Sequence, residues 1–171
     1  YKVTGVQTCA LPISNNSNFL GPSAGDRATC AYYSNFIGSS AGSLATYASN
    51  SNFLGNAGIC ATFANNSNFF GNGAGVYATN ASSSNFFGPY AGYCATNAYS
   101  SNFLGCFAGY CATSACLSNF LGYQAGCCST GNNVTAIGTL AGAGNTLNGM
   151  TIFSNNTLPS YTNRKIGRAH V

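Results

Sequence analysis

Residues that could support acid–base catalysis are scarce in this 171-residue chain. It has one acidic residue, five Lys or Arg and one His, and between residues 15 and 164 the charged residues are Asp26, Arg27 and Arg164. General acid–base catalysis needs a titratable group positioned on the substrate, and glycoside hydrolysis needs paired carboxylates. The sequence therefore predicts no enzyme activity, no catalytic residue, no cofactor-binding residue and no cofactor.

Cysteine is the more abundant reactive residue, with nine in the chain. Metal sites need ligands that converge on one point, and no nearby His could activate a thiol as a nucleophile. The sequence contains a short repeat, described below, and four cysteines occupy the same position in it. Other repeat units have Arg, Leu or Tyr at that position, and this mixture indicates packing rather than metal binding. Residues stacked at about 4.8 Å lie slightly too far apart for a relaxed disulfide. We therefore predict no metal site, and mainly free thiols with one bridge at most. The shared position holds Cys60, Cys94, Cys111 and Cys128, alongside Arg27, Leu44 and Tyr77.

The two ends of the chain differ in composition from the rest. The first segment is VTGVQTCALPI (3–13) and the last is IGRAHV (166–171). A DNA string that encodes IGRAHV has a reverse complement that encodes TCALPI, the end of the first segment. Such a pair is expected where sequencing-library adapter flanks an insert. We therefore interpret 1–14 and 165–171 as adapter-derived and leave them out of the fold prediction. The part between them is expected to be an internal piece of a longer protein.

A short repeat dominates the remaining sequence. Ser-Asn-Phe recurs at every seventeenth position, except for one interval that is a residue shorter. A fixed short period is typical of stacked architectures, in which each unit buries its apolar face against its neighbours. We number the repeat positions from its Ser, so that Phe is position three, an apolar residue position four and Thr position thirteen. The seven units begin at Ser17, Ser34, Ser51, Ser67, Ser84, Ser101 and Ser118.

The repeat predicts an all-β fold, a parallel β-solenoid or β-roll with about 17 residues per coil, seven regular coils and one degenerate coil. Two short strands per coil are expected, around S-N-F-L and A-T-x-A. Because successive strand side chains face opposite ways, one of positions three and four must point outward, and the Asn of position two should form a ladder. We expect the solenoid domain to span 15–144 and residues 145–164 to form a cap, a neck or the start of another segment.

The degenerate unit VTAIGTLAGAG (134–144) keeps A-I-G and L-A-G in register. This pattern resembles the head repeats of trimeric autotransporter adhesins and similar repeats of phage tail fibres. The resemblance implies a left-handed parallel β-roll wound as a homotrimer. The Phe at position three, the longer coil and the cysteines depart from that family's motif.

These observations favour a non-catalytic structural or adhesive fibre segment of a bacterial surface adhesin or phage tail fibre. The expected location is extracellular, on a cell surface or virion. A homotrimer would cover the outward apolar column, and scattered tyrosines could contact a carbohydrate or host-surface receptor. Neither nucleic acid nor membrane insertion is expected. The alternative is an ice-binding solenoid that uses the threonine column from Thr29 to Thr130 with the alanines of position fifteen, from Ala31 to Ala115.

Overall fold

The structure, a computed structural model, describes residues 16–153, and every regular element within them is a β-strand. Nine three-residue strands lie parallel in one sheet, in chain order from the first to the last. The predicted β-solenoid, with one repeat per coil, is therefore confirmed. The strands are β1 (Asn18–Leu20), β2 (Asn35–Ile37), β3 (Asn52–Leu54), β4 (Asn68–Phe70), β5 (Asn85–Phe87), β6 (Asn102–Leu104), β7 (Asn119–Leu121), β8 (Thr135–Ile137) and β9 (Thr151–Phe153).

Equal repeat positions lie on top of one another from coil to coil. Asn85 pairs with Asn102 and Phe86 with Phe103, for example. The coil that is one residue shorter keeps this register, since Asn52 still pairs with Asn68. The missing residue therefore falls in the turn after the strand, where its loss leaves the strand ladder intact.

The interior of the solenoid is a column of phenylalanine rings surrounded by alanines. Six rings of position three are completely buried, and the ring centroids of successive coils are 4.7–5.1 Å apart. Alanines at positions eight, twelve and fifteen fill the remaining space. Position three is therefore the inward and position four the outward member of the adjacent apolar pair, two positions that the alternation of strand side chains places on opposite faces. The buried rings are those of Phe36, Phe53, Phe69, Phe86, Phe103 and Phe120.

The serine at position one is a buried polar residue whose role the sequence did not reveal. Ser101 is fully buried, and its hydroxyl donates to the carbonyl oxygen of Ala115 at 2.7 Å. The same hydroxyl accepts the N–H of Ser118 in the next coil at 3.0 Å. Each serine thus closes its own coil and joins it to the next one, which satisfies polar groups that burial would otherwise leave unpaired.

The second predicted strand of each coil is reduced to a single residue. Thr79 and Thr96 form an isolated parallel bridge, and the same bridge recurs from Thr29 to Thr113. The residues on either side of the Ala-Thr pair, such as Cys94 and Asn97, have φ of 53° and 49°. This left-handed backbone interrupts the extended conformation that a longer strand requires.

The sheet continues past the domain boundary expected at Gly144. Strand β9 pairs in register with β8, so that Ile152 lies beside Ala136, and the N–H of Thr135 donates to the Met150 carbonyl oxygen at 2.8 Å. The repeat motif is no longer recognisable in this segment, but apolar residues still occupy the inward positions. Residues 145–153 therefore extend the solenoid. The adapter-derived segments and 154–164 lie outside the described residues.

Replacing Ser101 with Ala should destabilise the protein by roughly 1–3 kcal/mol, because the Ser118 N–H and the Ala115 carbonyl lose their buried partner. Replacing the adjacent exposed Ser100 with Ala should change stability by less than about 0.5 kcal/mol. Urea denaturation followed by circular dichroism measures both values. Equal effects of the two substitutions would contradict the bridging role of Ser101.

Candidate interaction surfaces

An apolar stripe runs along the outer face of the sheet. It consists of the position-four residue of each strand, and we call it the outward stripe. Its end residues are the most exposed, with Leu20 at 67% and Phe153 at 63%. Near the middle, the rings of Phe70 and Phe87 lie with centroids 4.8 Å apart. The stripe comprises Leu20, Ile37, Leu54, Phe70, Phe87, Leu104, Leu121, Ile137 and Phe153.

A ladder of asparagine amides runs beside the outward stripe on the same face. The Asn85 Nδ2 donates to Asn102 Oδ1 at 2.8 Å, and the same bond links every neighbouring pair from Asn18 to Asn119 at 2.6–2.8 Å. The predicted ladder is therefore present. The outer face of the sheet therefore combines an apolar row with a polar row. The amides of the polar row already use part of their hydrogen-bonding capacity on one another.

The threonine column also faces outward, but it stands alone. Thr46, Thr62, Thr79 and Thr96 are half-buried, while the position-fifteen alanines are almost or completely buried in the core. The expectation that alanine could share an exposed face with threonine is therefore wrong, because position fifteen points inward. The neighbouring outward residues at position eleven, such as Leu44 and Tyr77, are 40% and 51% exposed and irregular in size.

The coils from 67 to 133 carry a surface cluster of aromatic rings that the sequence did not reveal as a cluster. Tyr90 stacks on Phe107 with centroids 5.1 Å apart, and Tyr93 stacks on Tyr110 at 5.3 Å. Each pair joins equivalent residues of neighbouring coils, at position seven for the first and position ten for the second. Aligning the tyrosines and phenylalanines by repeat position could therefore have found them.

The ring faces in this cluster are largely occupied by one another. Tyr90 lies over Gly73, where a Cβ atom would meet its Cδ1 at 2.6 Å, and Phe107 covers the other side. Phe107 also makes edge contacts with Tyr110 and Tyr123. Sugar rings stack on exposed aromatic faces. Few ring faces in this cluster are exposed. Tyr32 and Tyr99 are also among the scattered tyrosines, but they lie at position sixteen, outside the cluster.

No disulfide joins the cysteines among residues 16–153. Burial, the hydrogen bond to Cys128 and the nearby Cys128 charge raise the pKa of Cys127 to about 12. Burial also raises the pKa of Cys94 and of Cys111. These groups are therefore protonated, weak nucleophiles at neutral pH. Within residues 16–153 no cluster of three or more His, Cys, Asp or Glu could hold a metal ion.

Asp26 and Arg27 form an isolated ion pair on the surface. Arg27 Nε lies 3.6 Å from Asp26 Oδ2, and the two side chains are 68% and 46% exposed. An exposed ion pair of this kind contributes little to stability. Among the described residues, no other charged side chain lies near this ion pair, because the sequence has no charged residue between 28 and 153.

Comparison with known proteins returned no match: no protein-family model, no curated protein and no solved structure is similar to the chain. In the described part of the chain, no helix has the length and hydrophobicity to cross a membrane. The surfaces described above are therefore the basis for proposing a function.

Stability should fall as the pH rises from about 9 towards 12, since Cys127 ionises near pH 9 in the unfolded chain but keeps its proton in the folded protein. The urea midpoint, measured under reducing conditions between pH 7.5 and 10.5, should therefore decrease with pH. Cys127→Ser should make the decrease smaller. An equally steep decrease in the variant and the parent protein would contradict the assignment.

Proposed function

We propose that this chain is a non-catalytic fibre segment that assembles as a homotrimer through the outward stripe. Its place would be outside the cell, in the shaft or head of a bacterial surface adhesin or a phage tail fibre. The observation that carries the proposal is the continuity of the stripe along all nine strands.

An exposed stripe of this length favours association. Soluble monomers rarely expose large contiguous apolar patches. Full burial of one such side chain contributes roughly 1.5–3 kcal/mol relative to exposure. Several central stripe residues are already half-buried within the chain, so each of them gains less free energy on association. The gain is repeated along the rod. A three-fold axis parallel to the solenoid would bring three identical stripes together.

The stacked coils suit a mechanical role. Successive coils are joined by backbone hydrogen bonds, by serine hydroxyls and by the asparagine ladder. At about 4.8 Å per coil, they form a short rod that could be lengthened by adding repeats without altering the interface. Such a rod would hold a receptor-binding element away from a surface.

The chemistry of the surface limits the partners that fit the proposal. Arg27 is the one cation among the described residues and is paired with Asp26. Nucleic-acid binding depends on many Lys or Arg contacts to phosphates, which this surface cannot supply. A neutral partner, such as a carbohydrate or host-surface receptor, is compatible with variable turns rich in hydroxyl and amide groups.

The proposal predicts a trimer whose assembly depends on the outward stripe. In the double variant Phe70→Ser/Phe87→Ser, the apolar contacts at the centre of the interface are lost, so the trimer should dissociate to a monomer. The measurement is the mass in solution by size-exclusion chromatography with light scattering, with circular dichroism to verify that the β-structure is retained.

A matched control is available on another face. Tyr47 and Phe63 form an exposed stacked pair with centroids 5.0 Å apart, so Tyr47→Ser/Phe63→Ser removes two surface rings outside the stripe. This variant should remain trimeric. A monomeric parent protein would contradict the proposed assembly, and would make an ice-recrystallisation assay of the threonine column the next test.

A further inference from the structure

Three cysteines lie in line on consecutive coils, at position eleven. They are Cys94, Cys111 and Cys128, and backbone bonds fix their register: the N–H of Cys111 donates to the Tyr93 carbonyl, and the N–H of Cys128 to the Tyr110 carbonyl, both at 2.8 Å. The three side chains are half-buried or exposed. Solvent-borne reagents can therefore reach a column of thiols whose spacing is set by the coil stacking.

The backbone at these cysteines is that of a turn and not of a strand. Their φ angles are 53°, 50° and 55°, in the left-handed region. Neighbouring coils lie about 4.8 Å apart, which is within the Cα separation of 4.4–6.8 Å that disulfides span. Side chains that stay parallel keep their Cβ atoms at this same spacing, slightly beyond that of a relaxed disulfide, so the bridge requires the two side chains to turn towards each other.

The register of the coils places the Cys111 thiol next to that of Cys94 in the preceding coil, close enough to oppose in part the rise that burial causes in the pKa of Cys94. Cys128 instead lies beside its sequence neighbour, with its Sγ 3.6 Å from that of Cys127. Cys60 occupies the same column but is separated from Cys94 by the coil that carries Tyr77. Because Cys128 lies against Cys127, Cys94 and Cys111 are the remaining two thiols of this column that lie on adjacent coils.

We propose that Cys94 and Cys111 form an oxidation site that a small-molecule disulfide, such as oxidised glutathione, converts into a disulfide between adjacent coils. The adjacent residues Cys127 and Cys128 are less suited to forming a bridge, because the small ring that closes would distort the peptide bond between them.

The exchange proceeds in two balanced steps. Cys94 loses its proton to solvent, and its thiolate attacks one sulfur of the oxidised reagent. This forms a mixed disulfide and releases one glutathione thiolate. Cys111 then loses its proton and attacks the Cys94 sulfur, which forms the Cys94–Cys111 bond and releases the second glutathione. The two cysteines are oxidised by two electrons, and the reagent is reduced to two thiols.

Burial raises the pKa of both thiols, but the neighbouring Cys111 thiol partly opposes the rise at Cys94, whereas the nearby Cys94 charge adds to the rise at Cys111. Cys94 is therefore the thiol that loses its proton first. The reaction should therefore be slow at neutral pH and accelerate as the pH approaches 9.

The bridge would close a loop of one coil between equivalent positions of neighbouring repeats and so restrict the unfolded chain. The chain-entropy effect for a loop of this length corresponds to a rise in the thermal midpoint of roughly 5–10 °C. The oxidised protein would then resist the separation of its fifth and sixth coils, the part of the chain that also carries the stacked aromatic pairs.

The test is to incubate the reduced, desalted 171-residue chain with oxidised glutathione at pH 8.5. The products are digested with chymotrypsin without reduction and mapped by mass spectrometry. We expect a peptide that links Cys94 to Cys111, a thermal midpoint about 5–10 °C higher, and reversal by dithiothreitol. Cys94→Ser and Cys111→Ser should each abolish the midpoint shift.

Cys60→Ser is the matched control, since it removes a thiol of the same column that has no facing partner, and it should retain the full shift. The proposal is overturned if the shift persists in Cys94→Ser, if the mapped bridge joins Cys111 to Cys128 or Cys127 to Cys128, or if the cysteines remain reduced or carry only glutathione.

Discussion

The contact between one phenylalanine ring and one glycine in each coil is the constraint on which the rest of the structure depends. A Cβ atom on Gly92 would meet Cδ2 of Phe86 at 2.4 Å, and the same overlap recurs from Gly25 to Gly126. The ring therefore occupies the volume that a side chain at position nine would need. Since a single large ring with small alanines fills the interior, the coil stays narrow enough for one short repeat to close it.

This narrow interior determines what the outside of the protein presents. With position three committed to the core, strand alternation places position four outward in every coil, and in-register stacking turns single residues into continuous rows. The outward stripe, the asparagine ladder and the thiol column are all products of this register. The proposed trimer and the proposed oxidation site both use such rows, but they lie on different repeat positions and are independent of each other.

The sequence predicted the features that repetition itself specifies: the parallel coils, the opposite directions of positions three and four, and the asparagine ladder, but not which of those two positions enters the core. It could not predict features that depend on backbone conformation. Left-handed residues beside Ala-Thr shorten the second strand to a single residue and turn the position-fifteen alanines inward. In the last coil, Ala136 and Ile152 keep inward positions although the repeat motif is lost, so strand pairing continues past Gly144. The alignment of the cysteines at position eleven could be seen in the sequence. Which cysteines lie next to each other could be seen only in the side-chain geometry.

A double-mutant cycle between Phe86 and Gly92 tests the ring–glycine contact most directly. The unfolding free energies of the parent protein, Phe86→Ala, Gly92→Ala and the double variant are measured by urea denaturation. Because φ at Gly92 is +64°, its backbone strain is present in both backgrounds and cancels. The account predicts that Gly92→Ala costs about 1–3 kcal/mol less when Phe86 is already Ala. Effects that add within about 0.5 kcal/mol would contradict it.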